Sequence, residues 1–154
     1  LHEHGVVVEY ITEQLRRLCD DVEFASTPTV KKLRTVQHLF TPIQGKLQSR
    51  VNWNDILEEL HPTPAVGGSP KAIAMQLIRE IEGYDRGLYA GPIGVVVGGD
   101  AEFAVGIRSG LFNNGKLYLY SGAGIVPDSN PQEEWQEINN KQKNFLSIFE
   151  SNNE

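Results

Sequence analysis

Two tight-turn signals, Gly98-Gly99-Asp100 and Asn113-Asn114-Gly115, cut an extended, β-rich stretch into short runs. Loops this short join neighbouring antiparallel strands, whereas a parallel pair needs a crossover of a dozen residues or more. The stretch therefore reads as three strands, Tyr89 to Val97, Glu102 to Phe112 and Lys116 to Ser121, in an antiparallel meander. A βαβ unit is excluded here. Ile93 to Val97 is apolar on both faces, the pattern of a strand covered on both sides, and a chain this short offers little with which to cover it.

Helical periodicity frames the meander. Val6, Val7, Tyr10, Ile11, Leu15 and Leu18 recur at helical spacing opposite Glu9, Glu13, Arg16 and Arg17, predicting a helix over roughly 3–20 that includes Cys19. Thr27-Pro28-Thr29 breaks the chain. Arg34 to Phe40 reads as a strand ended by Thr41-Pro42, and a second short extended piece follows at Gly45 to Gln48. Asn52 is placed to cap a helix through Leu60. Ser69 caps the next, with Pro70 at its first position and Gly83 at its end. Pro131 opens a last helix to about residue 150, carrying Trp135, Ile138, Phe145, Ile148 and Phe149. Trp53 and Trp135 read as packing anchors. The order is helix, strands, two helices, meander, helix: an α+β fold.

The 154 residues amount to about one domain. A net charge of −6 offers no basic stripe for nucleic acid. Cys19 is the only cysteine, so no intramolecular disulfide and no thiolate metal site is expected. No apolar run reaches membrane-span length, and a cytoplasmic location (or plastid, in a plant) is expected. The chain opens at Leu1 in mid-pattern and without a cap, which reads as a piece of a longer protein.

Four blocks of small residues then acquire chemical interest. They are His61 to Lys71, Arg86 to Gly94, Ala104 to Ser109 and Gly122 to Val126, and each sets a cation or hydroxyl, or bare backbone alone, beside glycines. Such loops suit a small anion. Arg108, inside an apolar strand, is expected to meet a carboxylate, from a ligand or from the protein. Glu134 and Glu137 share one helix face and are suitable hard ligands for Mg2+, but acidic residues at a helix start also complement its dipole. Lys141 lies at i, i+4 from Glu137 and is placed to pair with it. His38, a lone histidine on a strand, reads more readily as a satisfied core residue than as a catalyst. His2 and His4 at i, i+2 point apart and read as a surface patch.

Taken together, these blocks resemble the chorismate-utilising enzymes: isochorismate, salicylate, anthranilate and aminodeoxychorismate synthases. The matching residues are Glu3-His4, Gln37-His38-Leu39, His61 to Lys71, Arg86 to Gly94, Ile107-Arg108-Ser109, Gly122 to Val126, and Glu134-Trp135-Gln136-Glu137 with Lys141, in family order. The resemblance implies a C-terminal portion, over residues 1–154, of a two-layer chorismate-binding sandwich of antiparallel sheets covered by helices. It implies that Glu3 and Glu137 coordinate Mg2+, with Glu134 beside them. Arg108 with Ile107, Tyr89, the backbone of Gly122, Ala123 and Gly124, and Lys141 would bind the carboxylates of chorismate. His38 would lie beside the ring. Where the family's ammonia-using enzymes have Thr, this chain has Ala65, so isochorismate synthase fits best, with salicylate synthase a close relative. Ile138 departs from the usual Thr. The family's general base and general acid lie upstream of Leu1, so these residues alone are expected to be inactive and to need the N-terminal half of the domain. A chorismate dianion would be recruited to an acidic protein through the divalent cation.

Overall fold

The computed structural model describes residues 2–32 and 37–150, and the side chains of 144, 145 and 147–150 lie outside that description. The chain forms two compact units, Leu1–Ile81 and Glu82–Glu154.

The first unit opens with α1 (His2–Leu18). Its apolar face turns inward at Leu18, and Thr12 and Gln14 are buried beside it. The Thr12 hydroxyl donates back to the Val8 carbonyl at 2.7 Å, which satisfies its burial within the helix. Cys19 does not continue this helix. It begins strand β1 (Cys19–Phe24), which pairs antiparallel with β4 (Ile43–Leu47). Between them β2 (Thr29–Lys32) pairs with β3 (Gln37–Phe40), so one hairpin is nested inside the other. The expected strand from Arg34 is described only over Gln37–Phe40, since 33–36 fall outside the described residues. The Cys19 thiol packs against Gly45, where a Cβ would come within 2.7 Å of the sulfur. This close approach explains a glycine inside a strand.

Helix α2 (Trp53–Leu60) begins as expected. The Asn52 side chain accepts from the backbone N–H groups of Asn54 and Asp55, and Asp55 returns a bond to the Asn52 N–H. A short helix α3 (Pro64–Gly67) follows, unmarked by any periodicity. Helix α4 (Lys71–Glu82) starts one residue later than expected. Ala74 N–H donates to the Pro70 carbonyl, so Pro70 precedes the helix. Gly83, at φ +67°, ends it.

The second unit departs from the expected meander. It holds two separate hairpins, β5 (Pro92–Val97) with β6 (Asp100–Val105), and β7 (Ser109–Asn113) with β8 (Lys116–Tyr120). The single strand predicted over Glu102 to Phe112 is broken at Gly106–Arg108. There the Gly106 N–H bonds the Gly91 carbonyl, the Ile107 N–H turns back to Val105, and Arg108 adopts φ +50°. Backbone at positive φ cannot continue a ladder. Both turns form as the sequence requires, with Gly98 at φ +62° and Asn114-Gly115 at φ +50° and +74°. The last helix, α5 (Pro131–Glu150), is capped by the Asn130 side chain, which accepts from the N–H groups of Gln132 and Glu133. Trp135 is 65% exposed on it among the described residues, against its reading as a packing anchor. Trp53 is half-buried.

Apolar surface is left open on β5. Ile93, Val95, Val96 and Val97 are all at least half exposed, on both faces of the strand. Full burial of each such side chain is worth roughly 1.5–3 kcal/mol, so this strand carries unspent driving force for association. Among the described residues no helix is long and apolar enough to cross a membrane.

Candidate active site

In the second unit, several of the sequence-predicted residues converge on Gly122. The loop from Ser121 to Asn130 carries the chain from the end of β8 to α5. At its start the Lys141 ammonium, one turn beyond Glu137 on α5, donates to the Gly122 carbonyl at 3.0 Å. The same ammonium pairs with the Glu137 carboxylate at 2.5 Å, as the i, i+4 spacing predicts. On the other side of Gly122 lies the Tyr89 hydroxyl, 2.7 Å from where a Cβ would stand. A side chain at this position would require that phenol oxygen to shift. Tyr89 sits in the turn before β5, not in the strand itself.

The loop is further tied down by groups that the sequence did not single out. The Ser129 hydroxyl donates to the Glu134 carboxylate at 2.7 Å and accepts from the Val126 N–H. Glu134 thus keeps one carboxylate oxygen bound and faces the loop, while Glu137 is 55% exposed. Ala123 and Gly124 are half-buried in this loop.

Tyr89 is held by aromatic and cationic neighbours. Its ring stacks on Tyr120 at 5.2 Å between centroids, and the Arg86 guanidinium lies 5.6 Å over it. Arg86 is itself clamped by both oxygens of Glu82, a fork geometry that fixes the guanidinium plane. Burial pushes the Tyr89 phenol above its ordinary range, with Tyr84 adding to that and Arg86 opposing it. The hydroxyl therefore stays protonated at neutral pH and is a donor for an anion.

Arg108 corrects the expectation of a cation inside an apolar strand. It is exposed, at the break between β6 and β7, and makes no ion pair among the described residues. Its backbone is nonetheless fixed near the Tyr89 turn. Ala90, buried and at φ +61°, donates to the Gly106 carbonyl at 2.9 Å, and Gly106 returns a bond to Gly91. Ser109 pairs in register with Tyr120, the ring that stacks on Tyr89. Ile107 is likewise exposed. An exposed, unpaired guanidinium at a rigid backbone break is free to take a ligand carboxylate.

The remaining predicted residues belong to the first unit. Glu3 lies exposed on the first turn of α1. The neighbouring His4 ring bonds the Thr41 hydroxyl at 2.8 Å. His38 is exposed on β3, opposite Lys31, so the core reading of this histidine does not hold. Ala65 is an exposed residue of α3. A groove of about 310 Å³ opens between α1 and the β1–β2 turn, lined by Val8, Thr12, Phe24 and Pro28 with His4 and Thr41. None of the residues that converge on Gly122 lines it.

As donors for a metal, the predicted carboxylates have suitable chemistry. Glu134 and Glu137 offer oxygen ligands one turn apart on α5, the kind a hard divalent cation takes, and Lys141 balances the Glu137 charge. Among the described residues no three acidic, histidine or cysteine side chains cluster together.

In this α+β chain a hydroxyl, an ammonium and bare backbone meet at one loop. The chain belongs to the chorismate-binding enzymes: that family's model matches residues 1–150. It is 47% identical over 150 residues to isochorismate synthase MenF of Bacillus subtilis, covering 97% of this chain and 32% of that protein. Its fold is similar to the structure of MenF, the menaquinone-specific isochorismate synthase from Escherichia coli. There the TM-score is 0.86 at 37% identity, over 96% of this chain and 34% of that one. It is as similar to anthranilate synthase component I from Streptococcus pneumoniae, with a TM-score of 0.86 at 35% identity over 94% of this chain and 34% of that one. The chain thus spans about a quarter to a third of the length of the curated relatives it matches.

Proposed function

We propose that the whole protein converts chorismate to isochorismate. The observation that carries this reading is the convergence of Tyr89 and Lys141 on Gly122, with Glu137 paired to Lys141. Chorismate carries two carboxylates, and the second unit offers donors for both. Lys141 and the loop backbone from Gly122 to Gly124 face one. The Tyr89 hydroxyl and the exposed Arg108 suit the other, Arg108 through its two-pronged fork. Glu134 and Glu137 are the residues of the second unit that would hold Mg2+. When bound, the ion supplies electrophilic polarisation of the ring carboxylate.

Similarity in fold extends to an anthranilate synthase, so the fold alone does not choose the nucleophile. Ala65 supports water. It offers a methyl group on α3 where the ammonia-using enzymes resemble one another in having threonine. In the overall change, water adds at one ring carbon and gives up a proton, hydroxide leaves another and takes up a proton to depart as water, and the ring double bonds shift, so that substrate and product are isomers.

We also infer a partner for the bare apolar strand β5. Its open faces are those of a strand meant to be covered twice, and the chain spans about a third of its relatives. The remaining part of a chorismate-binding domain is the occupant that fits.

Calorimetric titration of chorismate into the full-length gene product tests the reading. Binding is expected with Mg2+ and is lost in Glu137→Ala. An absence of chorismate binding with Mg2+ present would overturn it, in favour of a non-catalytic relative.

A further inference from the structure

We propose that Tyr120 and Arg86 are positioning residues that hold the Tyr89 hydroxyl against Gly122 and thereby set the affinity for a carboxylate. The inference rests on the reading of Tyr89 as a substrate ligand, and adds the machinery behind it.

A tyrosine at a turn has two free side-chain torsions, and fixing such a side chain on binding costs affinity unless the protein has already done so. Here the ordering is supplied by the fold. Tyr120, the last residue of β8, stacks nearly parallel on Tyr89, with 16° between the planes. Tyr84 leans on the far side of the cluster, 6.3 Å from Tyr120. Arg86 lies over the Tyr89 ring, a cation–π contact that also fixes the ring plane, and Glu82 locks Arg86 at the close of α4. The ring is thereby aimed so that its oxygen fills the space of the missing Gly122 side chain. Tyr120 is also directly followed by the loop whose carbonyl takes the Lys141 bond. One ring therefore links two donors, the phenol it stacks on and the backbone it precedes. Neither Tyr120 nor Arg86 need touch the substrate for this to work.

The test uses the full-length gene product and steady-state kinetics with chorismate and Mg2+. Tyr120→Leu is expected to raise KM about tenfold with kcat little changed, the split that marks loss of uniform binding. Tyr120→Phe keeps the ring and is expected to rescue KM. In a Tyr89→Phe background, which itself raises KM, Tyr120→Leu is expected to add nothing further. Additive effects of the two changes would overturn the positioning role while leaving Tyr89 a ligand. An unchanged KM in Tyr89→Phe would instead remove the reading of Tyr89 itself. If Tyr120→Leu does not fold, Gly122→Ala serves in its place, because its Cβ displaces the phenol oxygen directly. Its KM penalty is expected to be about tenfold with Tyr89 and small with Phe at that position. Equal penalties in both backgrounds would overturn the proposal.

Discussion

The ammonium of Lys141 donates to the carbonyl oxygen of Gly122 at 3.0 Å while pairing with Glu137 at 2.5 Å. One cation thereby fixes the start of the loop between β8 and α5 and neutralises a carboxylate assigned to a metal. The pair is partly solvent-exposed, so its direct worth to folding is small, about 0–1 kcal/mol. Under the proposed function, its place beside the loop gives it a value in substrate binding out of proportion to that figure.

Lys141→Met is therefore expected to move the thermal unfolding midpoint very little, while weakening chorismate binding about tenfold or more. Paired calorimetry and thermal melts check this. A large loss of stability with unchanged binding would assign Lys141 to the scaffold alone.

Asn52 carries a reciprocal cap, accepting from Asn54 and Asp55 while its own N–H is taken by Asp55. Asn52→Ala removes the side-chain half of it and is expected to cost about 1 kcal/mol of stability. Urea unfolding reads the change. The effect on KM is expected to be negligible, because no substrate ligand is assigned to α2.

Much of this architecture is legible in the chain. Asn52, Gly83 and the two hairpin turns announce themselves through cap and turn chemistry, and the Glu137–Lys141 pair follows from helical spacing. The failures have physical causes. Cys19 to Phe24 interleaves acidic residues with few apolar ones, so the end of α1 and the start of β1 look alike in periodicity. The break at Gly106–Arg108 is dictated by a distant backbone partner, Gly91, which no local pattern shows. A lone histidine beside Leu39 in a β-rich run has the pattern of a buried strand residue, but both strands of the hairpin that carries His38 are exposed along their length. At the site, Gly122 was visible as a small residue. The phenol that approaches it closely lies more than thirty residues away and meets it only in the fold.

The pH dependence of stability has a predicted sign at His61. Burial lowers this imidazole below its ordinary 6.5, and the Lys71 ammonium, which also bonds the His61 carbonyl at 2.7 Å, lowers it further. Between the folded value and 6.5 the unfolded chain binds more protons than the native one. The contribution is therefore fully present above 6.5 and is lost as pH falls through the folded value. His61→Asn is expected to lose less stability than the native sequence over that window. Chemical unfolding of both across the window checks it, and superimposable profiles would contradict it.

The identity of the product reports the nucleophile directly. The full-length gene product, incubated with chorismate, Mg2+ and an ammonium salt and analysed by mass spectrometry and chromatography against standards, is predicted to yield isochorismate, equal in mass to the substrate and separated from it by retention. Anthranilate or aminodeoxychorismate in its place would contradict the assignment of water as the nucleophile, and salicylate with pyruvate would contradict an isomerase that stops at isochorismate.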